Sequence, residues 1–158
     1  MQECEKSDLF KAHEMELLRE LSDAEVKFVI VGGAAVNLHG YCRSRGDLDL
    51  VIDGAHNNID RLENVCLSWF GFKQRLIQEF KQDGAKIQNK EQGVDLLKEI
   101  NGVPTEDLLQ NRVIVTVGEV SVPVMSLEHL LASKNSIGEG KDLDDIAALN
   151  AIMRSSMD

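Results

Sequence analysis

Apolar and polar positions alternate along the chain with two different periods, and each change of period marks an element. Over residues 8–23, Leu9, Phe10, Leu17, Leu18 and Leu21 recur at helical spacing, while Glu14, Glu16, Arg19 and Glu20 take the other side. This predicts a helix capped by Ser7. Residues 27–31 read as a short buried strand. Gly32-Gly33 breaks it, and a compact helix over 34–38 ends at His39-Gly40. A second strand covers 48–52, closed by Asp53-Gly54. A helix over 57–70 carries Ile59, Leu62, Val65, Cys66 and Trp69 on one face, with Gly71 at its stop. Residues 72–90 are mixed and predict one or two strands, and 94–100 a further one. Thr105 caps a short helix over 106–110. Strands over 113–117 and 120–124 flank Gly118-Glu119 as a hairpin. Ser126 caps a helix over 127–134, and a last helix over 142–153 turns Ile146, Leu149 and Ile152 inward.

That order predicts an α/β fold, a mixed twisted sheet flanked by helices. The 158 residues suit a single domain spanning 1–158, with 126–153 as its C-terminal helices. Aromatic residues are only 4% of the chain, which argues against a stacking platform for single-stranded nucleic acid. A formal net charge of -10 repels polyanions, so nucleic acid and anionic membranes are not expected as partners. No apolar run reaches the ~20 residues of a membrane span, and the acidic start Met1-Gln2-Glu3-Cys4-Glu5 is unlike a signal peptide. Cys4, Cys42 and Cys66 are odd in number and lack metal-ligand spacing, so neither a disulfide framework nor a zinc site is expected, and a cytoplasmic location is the simplest. Charge is uneven: residues 73–90 hold five bases, Lys73, Arg75, Lys81, Lys86 and Lys90, against two acids. Such a segment is either a solvated face or a place where an anionic ligand gathers.

Three features carry chemistry. At Val31-Gly32-Gly33-Ala34-Ala35 a strand gives way to a helix through two glycines, a junction at which backbone N–H groups can approach a phosphate closely. It has neither the P-loop pattern nor dinucleotide-fingerprint spacing. In Arg45-Gly46-Asp47-Leu48-Asp49-Leu50-Val51, strand alternation puts Asp47 and Asp49 on one face. Two carboxylates ~4 Å apart repel by about 4 kcal/mol at an effective dielectric near 20. A divalent cation converts that repulsion into ligation, and hard oxygen ligands suit magnesium; an exposed face of solvated acids is the alternative. In Gly93-Val94-Asp95-Leu96-Leu97, Asp95 interrupts an apolar strand, where an unpaired carboxylate is costly unless it faces the other two acids. Three carboxylates so arranged can hold two metal ions.

Gly32-Gly33, Asp47-x-Asp49 and a later Asp95, in that order, resemble the nucleotidyltransferase fold of the DNA polymerase β superfamily. His39-Gly40 with Arg43 is similar to the segment before the acids in small bacterial members. Ser126-Leu127-Glu128-His129-Leu130-Leu131, Lys134 and Lys141-Asp142-Leu143-Asp144-Asp145 are similar to their C-terminal half. The likeness covers residues 10–153 and is nearest to minimal and lincosamide-type transferases. Ala34 and Arg45 depart from the family, which often has a serine near the glycines and a threonine before the acids.

The resemblance implies transfer of a nucleoside monophosphate from a nucleoside triphosphate to a hydroxyl acceptor, a small molecule or a protein, with release of pyrophosphate. It implies that Asp47, Asp49 and Asp95 are catalytic and bind two Mg2+ ions, with Asp95 activating the acceptor hydroxyl. Gly32 and Gly33 would meet the β and γ phosphates, with Arg43, Arg45 and Lys134 as further phosphate partners, while Asp142 and Asp145 brace the last helix. A second reading makes the chain a weakly active or inactive nucleotidyltransferase-like module that binds a partner protein, as an antitoxin does. The short chain also implies that a homodimer or a helical protein partner completes the acceptor wall.

Overall fold

The computed structural model describes residues 6–69, 78, 80–82, 86–138 and 140–156. A 3-10 turn at Lys6–Asp8 precedes α1 (Ala12–Asp23). Then come β1 (Phe28–Val31), α2 (Gly32–Leu38), β2 (Leu48–Ile52), α3 (His56–Trp69), β3 (Lys86–Asn89) and β4 (Val94–Leu97). The chain closes with α4 (Thr105–Gln110), β5 (Val113–Val117), β6 (Val120–Val124), α5 (Leu127–Ile137) and α6 (Lys141–Ser156). Among the described residues the strands form one mixed six-stranded sheet in the order β3-β4-β2-β1-β6-β5. β2 pairs antiparallel with β1 and parallel with β4, and β1 pairs parallel with β6. The two hairpins, β3–β4 and β5–β6, form the edges.

All four residues of β1 are buried, as expected of an inner strand of an α/β sheet. α1 packs on α3 and β6; α2 sits on β1 and β2 and touches α5, which pairs with α6. Leu17, Leu18, Leu21, Ile59, Leu62 and Cys66 meet Leu48, Leu50 and Leu96 in one continuous core. Asn58 sews α3 to the sheet: its side-chain amide accepts from the Lys27 N–H at 2.7 Å and donates to the Lys27 and Asp53 carbonyls.

Several local expectations are corrected. α1 begins at Ala12, and Ser7 lies in the preceding 3-10 turn instead of capping it. The cause is Phe10, which turns into the core, while Glu14 reaches back to accept from the Lys11 N–H at 2.8 Å. Glu14, read as outward-facing, is buried. The glycines belong to the first turn of α2. Thr105 is the first residue of α4 and not its cap, its hydroxyl donating to the Lys98 carbonyl at 2.9 Å. β4 stops at Leu97, and both C-terminal helices run longer than expected. β3 supplies one strand within 72–90; the rest of that segment up to residue 77, with the helix end at Phe70 and Gly71, lies outside the described residues. Cys42 is disulfide-bonded, against the expectation that the cysteines form no disulfide. Cys66 is a buried free thiol. No helix among the described residues is long and apolar enough to cross a membrane.

Candidate active site

Parallel pairing of β2 with β4 sets Asp49 directly opposite Asp95. Opposed residues share a sheet face. Leu48, Leu50, Val94 and Leu96 fill the other face, fully buried, and leave the two half-buried acids on the upper one. Burial first, then the charges of the neighbouring Asp95 and Asp47, raise the Asp49 carboxyl from 3.8 to about 6, against the pull of Arg45. Asp47 stands just before β2, exposed, with Oδ1 3.5 Å from the Cβ position of Gly93. The Leu48 N–H donates to the Gly93 carbonyl at 2.8 Å, tying that turn to β2. Among the described residues no three His, Cys, Asp or Glu side chains are gathered closely enough to hold a metal by themselves. The structure thus brings Asp49 and Asp95 together, with Asp47 at the mouth.

Both glycines have local reasons. Gly32 adopts a φ of +64°, and a Cβ there would lie 2.9 Å from Asp49 Oδ2. A Cβ on Gly33 would lie 3.0 Å from Arg45 Cβ, an atom fixed close to the backbone. Glycine at position 32 lets the start of α2 lie against Asp49, and glycine at 33 leaves room for the Arg45 side chain.

The basic residues are committed to carboxylates. Arg43 Nε and Nη2 donate to Asp145 Oδ1 and Oδ2 at 2.6 and 2.7 Å, and Lys134 Nζ donates to Asp142 Oδ1 at 2.9 Å and contacts Asp145 Oδ2 at 3.1 Å. Asp145 is 0% exposed. Burial works to raise its carboxyl, yet the Arg43 and Lys134 hydrogen bonds and charges overcome this and hold it below the usual carboxylate range. Asp145 therefore does more than brace α6: it joins the loop after α2 to both terminal helices. Arg45 is 10% exposed and forks onto Glu14, 2% exposed, at 2.7 and 3.2 Å; it also donates to the Leu9 carbonyl and lies over the Phe10 ring. Arg45 is thus held by Glu14 and Phe10 and packs behind Gly33.

A cavity of about 660 Å³ opens on the acid face, between the start of α2, the ends of the central strands and α5. Gly32, Asp49, Lys86, Glu99 and Lys134 are among its polar lining, with Leu97, Met125 and Ile137 among the apolar. Gly102, at φ +84°, packs the loop after β4 against α5 so closely that a Cβ there would lie 2.9 Å from Ser136 Oγ and 3.1 Å from the Ala132 carbonyl oxygen.

Sequence reasoning missed Glu14 as the partner of Arg45. A signal existed: Glu14 lies four residues after Phe10 and three and four before Leu17 and Leu18, inside the apolar stripe. An acid in that stripe requires a buried cation.

No curated protein matches the chain. Among solved structures, it is similar to an antigenic nucleotidyltransferase-like protein from Paracoccidioides brasiliensis, at 22% identity and a TM-score of 0.54, over 92% of this chain and 75% of that one. That likeness establishes a nucleotidyltransferase-like fold. A family model described as "Nucleotidyl transferase of unknown function (DUF2204)" matches residues 11–157, nearly the whole chain, and to that nucleotidyltransferase family the protein belongs.

Proposed function

We propose that the protein transfers a nucleoside monophosphate from a nucleoside triphosphate to a hydroxyl acceptor. The opposed Asp49–Asp95 pair, set against Gly32 in a cavity that also holds Lys134, is the observation that carries this reading. Two carboxylates set opposite each other on adjacent strands form an all-oxygen donor set fitted to a hard divalent cation. Magnesium is commonly held by one or two carboxylates together with substrate phosphates, so a complete protein cage is not required. Asp49 and Asp95 would hold it, with Asp47 at the mouth as a further donor; when bound, the cation supplies charge neutralisation to the phosphates.

The remaining work falls to the chain itself. Gly32 and Gly33 allow the triphosphate to approach the backbone, and Lys134, in the same cavity lining, would have to exchange its Asp142 and Asp145 partners for a phosphate. The acceptor oxygen forms a bond to the α-phosphorus as the bond from that phosphorus to its bridging oxygen breaks. Asp95 takes the hydroxyl proton, and pyrophosphate leaves. Leu97, Met125 and Ile137 give the cavity an apolar part, which disfavours water, the competing nucleophile.

Calorimetry with each nucleoside triphosphate, with and without magnesium, tests the reading. Binding should depend on the metal and be lost in Asp49→Asn; unchanged affinity in that variant refutes it. The commitment of Arg43 and Arg45 to carboxylates favours the second reading, a partner-binding module without turnover. Pyrophosphate release over a panel of acceptors separates the two.

A further inference from the structure

The strand order lays the residues beside the cavity out in sequence: Gly32 after β1 and Asp49 on β2 line it, Asp95 on β4 lies opposite Asp49, and the edge strand β3 follows with Lys86 in the lining. Antiparallel register sets Gln88 opposite Asp95 and Lys86 opposite Leu97, so Lys86 shares the face of the acids. With strands ~4.8 Å apart and ~3.4 Å per residue, the Lys86 backbone lies about 8 Å from that of Asp95. The glycines and Lys134 stand at the other end, beside Asp49.

Three lysines line the cavity, and two are already engaged. Lys134 is paired with Asp142 and Asp145, and Lys98 donates to the Gln82 carbonyl. Lys86 is exposed and has no hydrogen-bond or ion-pair partner among the described residues. Lys81 of the same basic segment is paired with Asp60. Glu99, also exposed, is the acid that opposes Lys86 at the rim. In a chain of net charge -10 an anion is repelled at long range, so it can be held only where such a local cation waits.

We propose that the acceptor is a small hydroxylated anion, its phosphate or carboxylate held by Lys86 a few bonds from the hydroxyl that Asp95 faces. Naming this ligand the acceptor rests on the nucleotidyl-transfer reading above; the anion preference of the β3–β4 end does not. Cationic aminosugars, by the same charge logic, are disfavoured there.

The test is an NMR shift titration of the full chain at low salt with glucose, glucose 6-phosphate, glucuronate and glucosamine, without nucleotide and again with magnesium and α,β-methylene ATP. Glucose 6-phosphate or glucuronate should bind roughly fivefold tighter than glucose, the scale of an exposed ion pair, with glucosamine weakest. Lys86→Gln should erase the preference, and Glu99→Gln should enlarge it. The phosphate and carboxylate arms tell which anion is taken. Glucosamine binding tighter than glucose 6-phosphate, a preference untouched by Lys86→Gln, no binding of any probe, or inorganic phosphate alone binding as tightly as the sugar phosphate each overturns the proposal. Failure of α,β-methylene ATP to bind overturns the transfer reading instead, and it is read in a separate titration.

Discussion

Replacing Asp49 with asparagine should make the metal-free protein more stable. In the folded chain the Asp49 carboxyl titrates near about 6 instead of 3.8, because burial and the charges of Asp95 and Asp47 penalise its ionised form. The folded state therefore binds this proton more tightly than the unfolded state. Between those two values it carries more bound protons, so stability falls as pH rises through the window, and the full penalty is present above about 6. Each tenfold change in proton affinity is worth about 1.4 kcal/mol, which makes the penalty about 3 kcal/mol. An amide of nearly the same shape fits beside Gly32, carries no charge, and can donate to Asp95. Urea unfolding with chelator present, at pH 4, 5.5 and 7.5, measures the effect. The variant should gain about 2–3 kcal/mol at pH 7.5, lose that advantage near pH 4, and keep an unchanged m value. Equal or lower stability at pH 7.5, or a gap independent of pH, refutes the electrostatic account of the pair.

Glu14→Ala leaves the Arg45 charge buried and unpaired and should cost about 3 kcal/mol by the same assay, with Arg45→Met in the same chain recovering part of it. Gly32→Ala meets a left-handed φ, worth about 1–2 kcal/mol, and crowds Asp49 Oδ2; thermal unfolding should register a Tm several degrees lower. Asp145→Asn should destabilise the protein at neutral pH. The wild-type carboxyl sits below its ordinary range, so its contribution is present above the unfolded value and lost as pH falls through the folded one; the acid limb of a stability–pH curve should be shallower in the variant. Ser126→Ala removes the hydroxyl that accepts from the His129 N–H and should cost about 1 kcal/mol in denaturant unfolding.

Elements marked by local punctuation were legible in the chain. The hairpin around Gly118-Glu119 and the strand Leu48–Ile52 have the bounds their alternation and turn residues announce. Failures arose where a distant residue decides. Phe10 and Glu14 both read as ordinary parts of an amphipathic helix, and only Arg45, far along the chain, explains why one leaves the helix and the other is buried within it. Helical periodicity likewise places Lys134 and Asp145 on α5 and α6 but cannot say that they meet Arg43. At the site, alternation put Asp49 on one face of its strand; that Asp95 lies opposite follows from strand order, which no local pattern encodes.

The parallel pairing of β2 with β4 also bears on how the candidate site comes apart. β2 is held to β1 by an antiparallel ladder, and β5 to β6 by another, but the segment that brings β4 alongside β2 must first pass through α3 and β3. Parallel neighbours need such a crossover, and contacts of long sequence separation form late and at high entropic cost. Detachment of the β3–β4 hairpin would part Asp49 from Asp95 while the β1–β2 and β5–β6 ladders stayed intact. Partial opening at that seam therefore takes the acid pair apart before the rest of the sheet unfolds, and the Leu48 N–H, bonded to the Gly93 carbonyl across it, is the amide whose hydrogen exchange reports the event.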